Sequence, residues 1–148
     1  MMDEQERLTK AYQSNKLSHA YLFEGDDGQT MQQVAIDFTK LILCNGDYQC
    51  QLKVETFNHP DFMYVSSEET TIKKDQVEQL VHHMNQLPIE GDYKVYIIES
   101  FEKLTVQGEN SILKFLEEPP ENTIAILLTT KPEQILDTIH SRCQHVYF

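Results

Sequence analysis

Two short apolar runs constrain the fold of this chain more than any other feature: YKVYII at residues 93–98 and IAILL at residues 124–128. A nearly continuous apolar strand such as YKVYII is typical of the middle of a parallel sheet, where helices cover both faces. Further strands are predicted at residues 19–24, 61–65 and 145–148. Because helical patterns lie between these strands, the sequence predicts an α/β domain with a mainly parallel sheet.

The helical patterns are read from apolar residues that recur at every third or fourth position. They are clearest over about residues 73–86. The other predicted helices are residues 3–15, a helix that begins near Gln29, a helix that ends in KFLEEPP, and residues 133–139. Residues 45–60 are predicted to be a loop.

Composition limits the classes of function that are open to the chain. Its 148 residues suit one domain, and the hydrophobic content of 40% is typical of a soluble protein. The three cysteines are few and odd in number, which indicates a reducing cytoplasm. The net charge of −12 argues against a chain that binds a nucleic-acid backbone by itself, because phosphate binding requires clustered lysine and arginine. The apolar ending VYF suggests a fragment of a longer protein.

The sequence GDDGQTM lies between a predicted strand and a predicted helix, where a phosphate-binding loop is found. Gly25 and Gly28 supply the glycines that the backbone curve of such a loop needs. In the GxxGxGK[ST] spacing, Thr30 stands at the last glycine, Met31 at the phosphate-binding lysine and Gln32 at the magnesium-binding hydroxyl. The loop therefore keeps the architecture of a nucleotide site and has lost its chemistry.

Two further pairs of residues argue against nucleotide binding. Asp26 and Asp27 place negative charge where phosphates would approach. In ATPases of this type the corresponding strand ends with Asp-Glu. Here YKVYII is followed by Glu99 and Ser100. Glu99 can still hold a cation, whereas Ser100 cannot act as the base. We therefore predict a degenerate nucleotide fold without a bound cofactor; the alternative is a strand-to-helix turn that contains two glycines by chance.

Several segments carry a family resemblance. They are SHAYLFEG (18–25), NHPDF (58–62), KVYIIES (94–100), NSILKFLEEPPENT (110–123) and TIHSRCQ (138–144). Together they resemble the ATPase-type domain of the delta-prime subunits of bacterial DNA polymerase III clamp loaders. The gamma/tau subunits share the LEEPP and SRC motifs but have an intact phosphate loop, so the degenerate loop indicates delta-prime. The resemblance implies a three-layer AAA+ (P-loop NTPase-like) core with a five-stranded sheet over residues 1–148, without the family's lid and collar domains.

The resemblance also implies a function. It predicts a non-catalytic, cytoplasmic subunit of the DNA polymerase III holoenzyme that supports loading of the sliding clamp in DNA replication. The implied partners are the gamma/tau and delta subunits, which would bind ATP, and, through the complex, the sliding clamp and primer-template DNA. In this family the arginine of SRC, here Arg142 between Ser141 and Cys143, reaches a neighbour's ATP site as an arginine finger. The alternative for Arg142 is a surface arginine in a local ion pair.

The chain departs from the family where many members carry a four-cysteine zinc module. Only Cys44 and Cys50 lie in that region, and with His59 they give three ligands without paired spacing. We therefore predict that no metal binds in this region. Cys44 at a helix end and Cys50 in a loop are expected to be ordinary thiols, and His59 is expected to lie in the turn that contains Pro60.

The remaining polar residues are interpreted as structural. His82 and His83 occupy adjacent helix positions and are expected to be solvated or at an interface. Thr129 and Thr130 are expected to be hydrogen-bond partners at a strand end. Two other functions stay open. One is an autonomous AAA+ ATPase with an atypical phosphate loop, and the other is a small adaptor that has the same fold but is unrelated to replication.

Overall fold

Five strands form one sheet in this computed structural model, which describes residues 3–148. They are β1 (Ala20–Glu24), β2 (Phe62–Val65), β3 (Lys94–Ile98), β4 (Thr123–Thr129) and β5 (Gln144–Tyr147). Their spatial order is β2-β3-β4-β1-β5, and every neighbouring pair is parallel. The predicted α/β fold with a five-stranded, mainly parallel sheet is confirmed.

Helices cover both faces of the sheet and give three layers. They are α1 (Glu4–Gln13), α2 (Gly28–Cys44), α3 (Tyr48–Glu55), α4 (Lys74–Met84), α5 (Val106–Glu117) and α6 (Asp137–His140). One apolar cluster joins the sheet to α4, α5 and α6, and a second joins it to α1, α2 and α3. Within residues 3–148, no helix has both the length and the apolar character that crossing a bilayer requires.

The central strands β3 and β4 are buried along their whole length, as their apolar sequences predict. The alternating register places their side chains in both clusters, since Tyr96 and Ile98 belong to one cluster and Val95 and Ile97 to the other. A strand with two buried faces therefore contributes to two cores at once.

Two predicted segments differ from the structure. Residues 45–60 are not a continuous loop, because α3 begins after Asp47, whose carboxylate caps it at 3.0 Å from the Gln49 amide. The segment predicted as one helix over residues 133–139 is divided into a short 3₁₀ turn, Pro132–Gln134, and α6. Between these two pieces Ile135 is extended and buried in the core, so the helix cannot continue through it.

The turn before β2 is fixed by buried polar groups. His59 lies in this turn as expected, and its Nδ1 accepts a hydrogen bond from the Asp61 amide at 3.0 Å. The Asp61 carboxylate, only 1% exposed, accepts from the amides of Ile89 at 2.7 Å and Glu90 at 2.8 Å. One buried carboxylate therefore holds the loop between α4 and β3 against the start of β2.

The two adjacent histidines of α4 have different environments. His82 is exposed to solvent, as expected. His83 is partly buried, and its Nε2 lies 2.8 Å from the Pro60 carbonyl oxygen. His83 is therefore not a fully solvated histidine, because its ring ties α4 to the turn before β2.

Candidate functional site

The loop after β1 ends at the N-terminus of α2, which is capped by the side chain of the loop residue Asp27. The Asp27 carboxylate accepts hydrogen bonds from the Thr30 amide at 3.1 Å and from the Thr30 hydroxyl at 2.6 Å. The hydrogen bond from the Thr30 side chain is the main cause that lowers the pKa of the Asp27 carboxyl, so this group stays ionised at neutral pH. A helix N-terminus attracts anions, and here Asp27 already supplies one.

The sequence predicted repulsion from Asp27 but missed this cap. A signal was present, because aspartate is a favoured N-cap residue and bonds an amide two or three positions further on. Thr30 stands three positions after Asp27. A phosphate approaching the start of α2 would have to displace the Asp27 carboxylate as well as overcome its charge.

Met31, at the position of the phosphate-binding lysine, is 1% exposed and belongs to the apolar cluster shared by α2 and the sheet. The cavity that remains beside it measures only about 50 Å³ and is lined by Gly28, Met31, Glu99, Ser100, Leu128, Thr129 and Thr130. Cavities that bind small molecules are usually about 300–1,000 Å³. The space left beside Met31 is therefore far smaller than a bound triphosphate needs.

Gln32 and Glu99 stand where a nucleotide site would hold magnesium, and Tyr64 lies between them. Gln32 donates from Nε2 to the Tyr64 hydroxyl at 2.9 Å. Burial, followed by the charge of Glu99, raises the pKa of the Tyr64 hydroxyl well above its ordinary value. Tyr64 therefore stays neutral between Gln32 and the Glu99 carboxylate.

The end of β4 supplies structural hydrogen bonds. The Thr129 hydroxyl donates to the Glu102 carboxylate at 2.7 Å and accepts from the Lys131 amide at 3.0 Å. This arrangement is the strand-end role expected for Thr129. Ser100, after β3, has a left-handed backbone with φ of 54°. Its carbonyl oxygen accepts from the Lys103 amide at 2.9 Å, which closes the 3₁₀ turn that follows β3.

Close packing requires glycine at position 25, which the sequence did not indicate. A Cβ at Gly25 would lie 2.6 Å from the carbonyl oxygen of Phe148, too close for any other residue without movement of the backbone. A Cβ at Gly28 would have its nearest neighbour in Thr130 at 4.0 Å, an ordinary contact. The requirement for glycine at position 25 therefore comes from the end of the chain that follows β5, and no phosphate is needed to explain it.

The SRC turn holds its arginine outward. The Ser141 hydroxyl donates to the Thr138 carbonyl oxygen at 3.0 Å, while Cys143 packs against the core and burial raises the pKa of its thiol to about 12. The Arg142 side chain is 48% exposed, and its Nη2 lies 3.5 Å from Oε1 of Glu117. The local ion pair considered for Arg142 is present, and half of the side chain remains open to solvent.

Arg142 and the degenerate loop lie at opposite ends of the strands. Arg142 stands two residues before β5, and the parallel register pairs Gln144 with Tyr21 near the start of β1. The loop with Gly25 follows the other end of β1. The two sites are separated by roughly the length of a strand, about 13 Å at 3.3 Å per residue. Arg142 therefore lies at the end of the sheet away from its own loop.

Of the three residues weighed as zinc ligands, only Cys44 and Cys50 are brought together. Cys44 and Cys50 form a disulfide with a Cα–Cα distance of 5.3 Å, and Cys50 lies in α3. The prediction of two ordinary thiols, one of them in a loop, is therefore wrong. The ring nitrogens of His59 face the Asp61 amide and, at 3.2 Å, the Glu90 carboxylate.

Comparison with known proteins agrees with this architecture. The family model described as DNA polymerase III, delta subunit, matches residues 3–148. The chain is 38% identical to DNA polymerase III subunit delta' of Bacillus subtilis, over 95% of this chain and 45% of that protein. It is 34% identical to DNA polymerase III subunit tau of the same organism, over 97% of this chain and 28% of that protein. The chain thus spans less than half the length of these relatives.

A solved structure shows the same fold. The DNA polymerase III gamma subunit-related protein from Thermotoga maritima superposes with a TM-score of 0.80 at 24% identity, covering 99% of this chain and 46% of that one. The family-model match over residues 3–148, together with the 38% identity to delta', confirms the predicted family. The chain belongs to the DNA polymerase III delta-subunit family of clamp-loader proteins, as a delta-prime-like member.

Proposed function

We propose that this chain is a non-catalytic structural subunit of the clamp loader, which binds no ATP itself and supplies Arg142 to the ATP site of a neighbouring subunit. The observation that carries the proposal is the contrast between the two ends of the parallel strands. At the carboxyl end, Asp27 and Met31 occupy the degenerate nucleotide site. At the amino end, Arg142 is held half-exposed on an anchored turn.

The composition of the complex is part of the proposal. Similarity to subunits called delta' and tau supports gamma/tau and delta subunits as partners, working in the cytoplasm. The chain's net charge of −12 supports contact with primer-template DNA and the sliding clamp through the complex, because DNA binding draws on clustered positive charge. Co-purification with gamma/tau and delta tests this assembly, and a chain that elutes alone under native conditions would contradict it.

The isolated chain should not bind Mg-ATP in the micromolar range. Loss of the loop lysine removes a charge-assisted contact worth roughly 1.5–3 kcal/mol, and the Asp27 carboxylate occupies the anion position. Isothermal titration calorimetry measures this directly, with an intact-loop gamma/tau subunit as the positive control. A low-micromolar affinity would favour the second candidate function, an autonomous ATPase with an atypical loop.

We also propose that the cysteine region holds no zinc and that the domain folds without metal. A structural zinc site takes four ligands, and of the three residues in this region only Cys44 and Cys50 lie together, since both ring nitrogens of His59 have other partners. Both apolar clusters are continuous with the sheet, so folding does not depend on a metal ligand set. After exhaustive treatment with a chelator, the chain should still unfold in one cooperative transition by circular dichroism. Loss of that transition would show that a metal is structural.

A further inference from the structure

Three potential metal ligands meet beside β1 and β5, next to the degenerate loop. They are Glu24 at the end of β1, His140 at the end of α6 and His145 in β5. One ligand atom from each lies within 4.8 Å of the other two, and His145 Nδ1 is 3.1 Å from Glu24 Oε2. This cluster could not be predicted from the sequence, because 121 positions separate Glu24 from His145.

Backbone carbonyl groups fix the orientation of both rings. Nε2 of His145 lies 2.9 Å from the His140 carbonyl oxygen, and Nε2 of His140 lies 2.8 Å from the Pro132 carbonyl oxygen. A carbonyl oxygen only accepts, so each Nε2 carries a hydrogen, and the Nδ1 of each neutral ring keeps its lone pair. Metal-binding histidines are usually oriented in this way, with the second nitrogen donating to a carbonyl.

The contact between His145 Nδ1 and Glu24 Oε2 requires a positive charge between them. A neutral ring presents a lone pair at Nδ1, and the carboxylate oxygen is also an acceptor. Either a proton or a metal ion satisfies both atoms. The rings of His140 and His145 are nearly parallel, with planes at 12° and centroids 5.3 Å apart. Because an imidazole binds a metal ion along its in-plane lone pair, one ring must turn for both rings to reach the same ion.

The spacing of His145 and Glu24 suits a tetrahedral ion. Ligand atoms about 2.0–2.1 Å from Zn²⁺ lie roughly 3.3 Å from one another, close to the 3.1 Å between His145 and Glu24. The side chains of Glu24 and His145 are 13% and 25% exposed, so both are partly desolvated. An open cavity of about 330 Å³ bordering Glu24, Pro132 and Tyr147 provides a path of entry.

We propose that Glu24, His140 and His145 bind one divalent transition metal ion of the Zn²⁺ type, with water in the fourth position. Zn²⁺ prefers this set of imidazole and carboxylate ligands. The proposal departs from the sequence-based expectation of no metal, which weighed only the cysteine region and His59. His140 and His145 lie on either side of the SRC turn, so the ion would tie that turn to β1.

The test is titration of the purified, tag-free chain, after removal of metal, with Zn²⁺ by calorimetry and with Co²⁺ by visible absorption. We expect one ion per chain and a tetrahedral Co²⁺ spectrum without thiolate charge-transfer bands. Glu24→Gln and His145→Gln should each weaken Zn²⁺ binding at least about tenfold, since even outer-sphere partners of a metal site are worth 10- to 100-fold. Circular dichroism checks that each variant is folded.

Two controls make the result specific. His82→Gln removes an exposed histidine of α4 and should leave Zn²⁺ affinity unchanged. Cys44→Ser with Cys50→Ser should also leave the affinity unchanged. Failure of the wild-type chain to saturate with either ion would show that a proton alone bridges His145 and Glu24, which would overturn the proposal. So would a His145→Gln variant that binds Zn²⁺ as the wild type does, or loss of binding only in the cysteine variant.

Discussion

Replacing Arg142 with alanine should lower clamp- and DNA-stimulated ATP hydrolysis by the assembled clamp loader while folding and assembly stay intact. A guanidinium group is planar and always charged, so it can stabilise the charge on a transferring phosphoryl group. Arginine fingers are worth roughly 10³–10⁵ in turnover at one site, and the other ATP sites of the complex dilute the visible loss. Steady-state hydrolysis by reconstituted complexes measures the effect, with assembly checked by gel filtration.

Three further variants sharpen this experiment. Arg142→Lys keeps the charge but lacks the planar fork, so hydrolysis should fall with it as well. Arg7→Ala removes the other arginine of the chain, which lies exposed on α1, and should have no effect. Glu117→Gln removes the ion-pair partner of Arg142 and should keep full hydrolysis, since exposed pairs contribute only about 0–1 kcal/mol. Unchanged hydrolysis and clamp loading in an assembled Arg142→Ala complex would leave the domain as a scaffold only.

Replacing Asp61 with alanine should lower the free energy of unfolding by at least about 3 kcal/mol. The buried carboxylate holds two backbone amides, those of Ile89 and Glu90. Hydrogen bonds to a charged group contribute about 1.5–3 kcal/mol each, and both donors would lose their partner. Asp61→Asn should also destabilise the protein, because its NH₂ group must face one of the two amide donors. Urea denaturation followed by circular dichroism gives both values.

The matched control for Asp61 is Asp92→Asn in the same connection between α4 and β3. Asp92 is exposed, and surface substitutions of this kind usually change stability by less than about 0.5 kcal/mol. If Asp61→Ala unfolded at the same urea concentration as Asp92→Asn, the loop between α4 and β3 would have to be held by other contacts.

The strands were predictable because burial on both faces leaves a direct mark on the sequence. YKVYII and IAILL could be assigned without knowing their neighbours, and the parallel arrangement followed from the helices between them. Helix α3 was missed for the opposite reason. It has eight residues, of which only Val54 is buried, so no periodic apolar pattern reveals it. The Asp47 cap is its strongest local signal.

The parts of the sites that sequence reasoning missed depend on contacts between distant residues. The loss of phosphate chemistry at Met31 could be read from spacing alone, but the position of Tyr64 between Gln32 and Glu99 could not. Gln32 and Tyr64 come together only because α2 packs across the sheet toward β2. The need for glycine at Gly25 likewise depends on the return of the chain at Phe148.

Photolabelling with an ATP analogue that carries an aryl azide on its γ-phosphate tests both halves of the proposed function in one measurement. The label is applied to the isolated chain and to the reconstituted clamp loader, and the modified residues are located by mass spectrometry. The predicted result is no label on the isolated chain and label beside Arg142 in the complex. Two results would contradict the proposal that this subunit binds no ATP itself and reaches the ATP site of its neighbour. One is label on the loop Gly25–Met31 of the isolated chain, and the other is a complex in which this chain stays unlabelled.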